Sequence, residues 1–120
     1  MTSWDHYIGF EREPIDLDEF LNSCGYDKTS KNNDTNKKDY GYRGRRLIDI
    51  CYSFKPVDTE GKNFPDWKNA GIPIISELLI TTKDPSAIGR ASRLSKAIVR
   101  KYNAVLYDTN LNDFLRQGQL

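Results

Sequence analysis

The side chains of this 120-residue chain that could carry out chemistry are few and widely spaced. His6 is the one histidine, and Cys24 and Cys51 are the two cysteines. A metal site needs several such ligands at suitable spacing, and these three residues show no such spacing. The chain also lacks the glycine-rich phosphate-binding loops and the GxSxG nucleophile motif. The sequence therefore predicts no metal site, no cofactor and no catalytic residues, and we expect a protein that is not an enzyme.

Acidic residues are concentrated at the N-terminal end. Residues 1–27 contain seven acids and one base, whereas residues 28–120 contain ten acids and 17 bases. Within the acidic end, Asp16 and Glu19 have the spacing of a capping box at the start of a helix. Ile15, just before the cap, is expected to pack on Phe20. The sequence thus assigns a structural task to only some of these acids.

The remaining acids are candidates for binding a partner. Glu11 and Glu13 precede the predicted helix, and Asp18 lies in its first turn but outside the capping pair. Acidic side chains without a local task can dock a basic surface, which speeds association and sets specificity. Trp67 lies in a predicted loop and suits an interface anchor, since tryptophan is favoured at binding hot spots. We therefore predict a partner-binding surface formed by Glu11, Glu13 and Asp18, joined by Trp67.

A second candidate surface combines basic and aromatic residues. The segment KKDYGYRGRR places arginines next to tyrosines. Basic side chains with stacking rings suit single-stranded RNA, although the aromatic RNP1 pattern of an RNA-recognition motif is absent. The net charge of +1 supplies no general attraction to nucleic acid, which is therefore the less favoured partner. The residues of this alternative nucleic-acid-binding site are Tyr40, Tyr42, Arg43, Arg45 and Arg46.

Basic residues also line one side of a predicted helix near the C-terminus. Arg90, Arg93, Lys96 and Arg100 fall opposite an apolar stripe at helical spacing. A helix that packs on a sheet exposes its opposite face to solvent, and charged residues are normal on that face. We interpret these residues mainly as a solvated surface.

The elements that position these residues follow from periodicity. Residues 4–11 alternate as a strand, 15–25 carry a short apolar stripe with helix end signals, and 45–56 and 72–82 are a second and third strand. Asp84 and Pro85 open the basic helix, and residues 104–108 form a fourth strand. The order β-α-β-β-α-β predicts an α+β, ferredoxin-like fold, a four-stranded antiparallel sheet with two helices on one face.

The two long connecting segments and the N-terminus also permit predictions. Residues 26–44 are polar apart from tyrosines and predict a mobile loop, and residues 57–71 predict a long hairpin connection. We expect residues 1–120 to form a single domain. The N-terminus lacks the features of a signal peptide, and no segment is apolar enough for a membrane span, which predicts a cytoplasmic protein with no membrane contact.

Two segments carry a resemblance to a known class of proteins. The tail ASRLSKAIVRKYNAVLYDTN resembles the closing helix and strand of small bacterial immunity proteins of contact-dependent or polymorphic toxin systems, and DHYIGFEREPIDLDEFL also suits such a stand-alone domain. Immunity families share no catalytic residues, so no position is carried over. The resemblance implies a cytoplasmic, non-enzymatic inhibitor that binds a cognate toxin domain, such as a nuclease. A nucleic-acid-binding module and a small regulatory, ligand-sensing domain are the alternatives.

Overall fold

The computed structural model describes residues 3–32, 37–44, 47–54, 65–68 and 70–120. The strands in these ranges are β1 (Trp4–Phe10), β2 (Tyr26–Asn32), β3 (Lys37–Tyr42), β4 (Asp49–Ser53), β5 (Ser76–Thr82), β6 (Val105–Asp108) and β7 (Asp113–Leu115). The helices are α1 (Leu17–Ser23) and α2 (Ile88–Tyr102), with 3-10 turns at Pro85–Ala87 and Gln117–Gln119.

The strands form one antiparallel sheet with the order β2-β3-β4-β5-β1-β6-β7. The prediction of a four-stranded, ferredoxin-like sheet is therefore wrong. The four strands recognised in the sequence, β4, β5, β1 and β6, are neighbours at the centre of this larger sheet. The hairpin β2–β3 extends it at one edge, and the short strand β7 extends it at the other.

The hairpin β2–β3 occupies most of the segment that was predicted as a mobile loop, residues 26–44. Tyr26 pairs with Tyr42 across the two strands, and Tyr26 and Tyr40 are each 2% exposed. Tyrosine carries enough apolar surface to hold a strand when a helix covers it. Residues 33–36 of the predicted loop, and residues 57–64 and 69 of the predicted 57–71 connection, lie outside the described residues.

The main core lies between the sheet and both helices. Alternation along β1 turns Ile8 and Phe10 inward, where α1 contributes Leu17 and Leu21 to the same buried cluster. From α2, the buried residues of this cluster lie at helical spacing: Ala91, Leu94, Ile98 and Val99. The helix begins as predicted, because Asp84 accepts a hydrogen bond from the Ser86 N–H at 2.8 Å. Its C-cap, Asn103, adopts the left-handed conformation in which helices commonly end.

A smaller cluster covers the other side of the sheet. Trp67 and Ile74 pack there with Val105 and Tyr107. Gly9 makes this packing possible, since a Cβ at that position would lie 2.6 Å from the Ile74 side chain. The sheet is thus covered on the helix side along most of its width and on the opposite side near β1 and β6.

Candidate functional site: an acidic groove beside helix α1

A groove of about 320 Å³ lies where the start of α1 meets the ends of β3 and β4. Its lining combines carboxylates with apolar and aromatic side chains. We call it the acidic groove, and its residues are Glu13, Pro14, Ile15, Asp16, Leu17, Asp18, Glu19, Lys38, Tyr52 and Phe54. Four carboxylates therefore face one ammonium group across a space large enough for a side chain of another molecule.

The backbone at Asp16 shapes the rim of this groove. Asp16 has φ 62° and ψ 28°, the left-handed conformation, and its carboxylate makes no capping hydrogen bond. Its carbonyl oxygen alone serves the helix, by accepting from the Phe20 N–H at 2.9 Å. The predicted capping box is therefore wrong, since a capping residue normally adopts an extended conformation. Non-glycine residues are uncommon at such a φ, and backbone conformations of this kind cluster at functional sites.

The neighbouring Ile15 is turned outward as well. It is 73% exposed, so the predicted contact with Phe20 that would fix the helix entry is not formed. Ile15 lies among acidic residues of the groove lining and is exposed, whereas the isoleucines of β1, β4 and β5 are buried in the core. The left-handed turn thus places an apolar side chain and an unbonded carboxylate together at the rim.

Glu13, Asp16 and Glu19 are the exposed carboxylates of the groove. Among the residues that the structure describes, none of the three has a hydrogen-bond or ion-pair partner. Their charges act on the surrounding protein: burial raises the pKa of Tyr102 to about 12, and the Asp16 and Glu19 carboxylates contribute to that rise. The acidic groove therefore presents three carboxylates that form no ion pair among the described residues, although Lys38 also lines it.

Asp18 also lines the groove, but its carboxylate is engaged. It accepts hydrogen bonds from the Tyr40 hydroxyl and from Lys28 Nζ, the latter at 2.8 Å. Burial opposes ionisation of Asp18, yet the hydrogen bonds from Lys28 and Tyr40 prevail and lower its pKa. Asp18 thus ties α1 to the hairpin β2–β3, a structural task that the sequence did not reveal.

The two other residues of the predicted partner surface lie elsewhere. Glu11 accepts a hydrogen bond from Arg116 Nη1 at 2.6 Å, which ties the end of β1 to the C-terminal segment. Trp67 is 2% exposed on the opposite side of the sheet, where its indole N–H donates to Glu77 at 2.8 Å. The structure therefore brings together Glu13 and Asp18, and it separates Trp67 from them.

The residues of the alternative nucleic-acid site are largely engaged where they are described. Tyr40 is buried and bonded to Asp18, which leaves its ring no open face for a base. Tyr42 carries the Arg90 guanidinium 4.7 Å above its ring. Arg43 holds both oxygens of Asp27, with Nε at 3.1 Å and Nη2 at 2.8 Å. Arg45 and Arg46 lie outside the described residues.

Arg90 and Tyr42 also line a cavity of about 400 Å³ at the start of α2. Further along the helix, Arg93, Lys96 and Arg100 are exposed, as expected for a solvated face. The cation–π contact leaves neither the Arg90 guanidinium nor the Tyr42 ring face fully open to a ligand.

One arrangement of catalytic residue types occurs in the interior. His6 Nδ1 lies 2.9 Å from Ser95 Oγ, and His6 Nε2 lies 3.4 Å from Asp108 Oδ2. Ser95 is 0% exposed and His6 is 4% exposed. A serine nucleophile must reach its substrate, so this buried trio joins β1, α2 and β6 rather than forming an active site. Burial lowers the pKa of His6, against the opposing effect of Asp108.

Sequence reasoning missed Ser95 and Asp108 because they are distant from His6 along the chain. Ser95 follows Leu94 on the buried side of α2, and a polar residue in that position was the available signal.

Within the described ranges, no group of three or more histidine, cysteine, aspartate or glutamate residues is arranged to hold a metal ion. Within the same ranges, no helix has the length and apolar character needed to cross a membrane.

Comparison of the chain with protein-family models, with curated proteins and with solved structures finds no match.

Proposed function

We propose that this protein is a non-enzymatic inhibitor of the immunity type, which binds a cognate bacterial toxin domain through the acidic groove and neutralises it. The observation that carries the proposal is the convergence of Glu13, Asp16 and Glu19, exposed and unbonded within the described residues, around the 73% exposed Ile15. An exposed apolar side chain in a groove where carboxylates outnumber the one lysine is suited to a basic protein partner.

A basic surface on the partner is the natural complement. Toxins that cleave nucleic acids bind their anionic substrate with lysine and arginine side chains. Carboxylates placed over such a cleft compete with phosphate for the same cations. Electrostatic attraction would also speed the encounter, which matters for an inhibitor that must act before its target does.

Two features of the chain agree with this proposal. The tail and the N-terminal segment resemble immunity proteins, and the acidic groove combines exposed carboxylates with an exposed apolar side chain. The alternative of RNA binding has less support, since Tyr40 is buried and Arg43 is bound to Asp27. The ligand-sensing alternative could use the cavity of about 400 Å³ at the start of α2, but Arg90 and Tyr42 in its lining already contact each other.

Co-expression tests the proposal directly. Each protein encoded by the genes adjacent to this one is expressed in a heterologous bacterium, with and without this chain. We expect one of them to arrest growth through its C-terminal domain and this chain to restore growth while forming a complex with that domain that co-elutes in size-exclusion chromatography. If no neighbouring product is toxic, or if a toxic one is neither bound nor neutralised, the proposal is wrong.

A further inference from the structure

The acidic groove already holds a cation from its own chain. Lys38 lines the groove, and its Nζ lies 5.5 Å from the centroid of the Phe54 ring. A cation over an aromatic face is attracted by the ring quadrupole. Asp18, which also lines the groove, is already bonded to Lys28 and Tyr40. Lys38 is therefore held by the ring and by the general field of the carboxylates, without an ion pair among the described residues.

Tyr52 also lines the groove, but it is 2% exposed, and its hydroxyl is buried without a hydrogen-bond partner among the described residues. Burial raises the pKa of this hydroxyl and the Glu13 charge raises it further; Ser76 opposes the rise, although the two hydroxyls do not reach hydrogen-bond geometry. A ligand in the groove would therefore meet the Tyr52 ring, whereas the carboxylates of the rim supply the exposed hydrogen-bond acceptors.

We propose that the acidic groove is the seat of one arginine side chain from the partner, and that Lys38 occupies this seat until the arginine displaces it. The guanidinium would stack on Phe54 and donate its N–H groups to the free carboxylates of Glu13 and Asp16. Ile15 would pack against the aliphatic part of the arginine. This inference rests on the proposed function, because it names the chemical group of the partner that the groove recognises.

Arginine fits the lining better than lysine does. Its planar guanidinium stacks on aromatic rings and presents several N–H donors in a fixed fork, whereas an ammonium is a compact and strongly hydrated charge. Carboxylates on the rim and an aromatic ring on the wall match both properties. Displacement of Lys38 also returns its ammonium to water, where it is well solvated.

A peptide titration tests the inference without any toxin. The full chain labelled with 15N is titrated with three blocked tripeptides, Gly-Arg-Gly, Gly-Lys-Gly and Gly-citrulline-Gly, at constant ionic strength. We expect amide shifts at residues 13–19 and 52–54, with the arginine peptide bound more tightly than the lysine peptide and no response to citrulline, which has the shape of arginine without its charge. Equal responses to arginine and citrulline, or arginine-induced shifts centred elsewhere, would overturn the inference.

Three variants sharpen this experiment. Lys38→Met keeps the side-chain length and removes the competing charge, and it should tighten arginine binding about fivefold, as expected for removal of one nearby like charge. Glu13→Gln combined with Asp16→Asn should weaken binding about tenfold through the loss of charged acceptors, while asparagine still accepts the left-handed backbone. Glu11→Gln is the matched control, because Glu11 is bound to Arg116 outside the groove, and it should change nothing.

The outcomes separate this inference from the proposed function. Toxin neutralisation together with an absence of peptide response would refute the arginine seat and leave the immunity function standing. Arginine-specific binding in the groove, combined with a failure of every neighbouring protein to be neutralised, would refute the immunity function and leave the seat. A Lys38→Met variant that binds the arginine peptide more weakly would contradict the displacement of Lys38.

Discussion

Asp16 is the residue at which local pattern and observed conformation disagree most. The spacing of Asp16 and Glu19 is that of a capping box, yet Asp16 is left-handed at φ 62° and its side chain does not cap. A capping aspartate would keep its carboxylate on the helix and Ile15 on Phe20. The observed turn exposes both side chains at the rim of the acidic groove, where the proposed recognition would use them, and the Asp16 carbonyl alone serves the helix end.

Substitution of Asp16 distinguishes the two roles. Threonine is a good N-cap but is strained in the left-handed region, whereas glycine is tolerated there. We expect Asp16→Thr to lower the free energy of unfolding by about 1–2 kcal/mol and Asp16→Gly to change it by less than about 0.5 kcal/mol. Urea denaturation measures both. If Asp16→Thr is as stable as the parent protein, the side chain caps the helix after all.

Glu77 is the residue with a predicted effect of pH on stability. Burial raises its pKa from 4.5 to about 7, although the hydrogen bond from Trp67 lowers it. The folded protein thus holds this proton more tightly than the unfolded chain does. The contribution of Glu77 to the free energy of unfolding therefore falls as the pH rises from about 4.5 to about 7, by at most about 1.4 kcal/mol per pH unit.

Glu77→Gln should remove this loss, because the amide oxygen still accepts from the Trp67 indole. Urea denaturation at several pH values compares the variant with the parent protein. We expect the stability advantage of Glu77→Gln to grow between pH 4.5 and about 7 and to level off above that. A difference that is independent of pH over this range would show that Glu77 titrates normally.

Among the elements, those with strong periodicity could be predicted from the sequence. Alternation identified β1, and the apolar stripe with its Asp84 cap identified α2. The hairpin β2–β3 was missed because its buried residues are tyrosines in an otherwise polar stretch, and their burial depends on α1 packing over them. The strand β7 has only three residues, which is too short to show a clear alternation of apolar and polar residues. Its pairing with β6 could therefore not be predicted from the local sequence.

Asp18 joins two of these elements, and its removal tests that link. Asp18→Ala leaves the buried Tyr40 hydroxyl and Lys28 without their acceptor. We expect it to lower the free energy of unfolding by about 1–3 kcal/mol, the range for an unsatisfied buried polar group. Glu13→Ala is the matched control from the same groove and should change stability by less than about 0.5 kcal/mol. Equal effects of the two substitutions would place Asp18 among the free surface acids.

Over the whole molecule, the charges separate into an acidic groove beside α1 and a basic outer face on α2. The sequence indicated an acidic N-terminal end, and the partner surface predicted from it included Glu13 and Asp18, both of which line the groove. It did not reveal the hydrogen bonds of Glu11 and Trp67, since their partners, Arg116 and Glu77, become neighbours only through the sheet. It also assigned Asp16 and Ile15 to the helix end, so the residues that shape the rim were recognised only in the structure.

The measurement that tests the central claim most directly compares charge reversals on these two surfaces. The affinity of the cognate toxin domain is measured by isothermal titration calorimetry for the parent chain, for Glu13→Lys with Glu19→Lys, and for Arg93→Glu with Arg100→Glu. All four positions are exposed, so melting temperatures should remain close to that of the parent protein. We predict that the acidic pair weakens binding at least about 100-fold and that the basic pair changes it less than about threefold. Loss of binding in the basic pair, with affinity kept in the acidic pair, would contradict the account and place the toxin on helix α2.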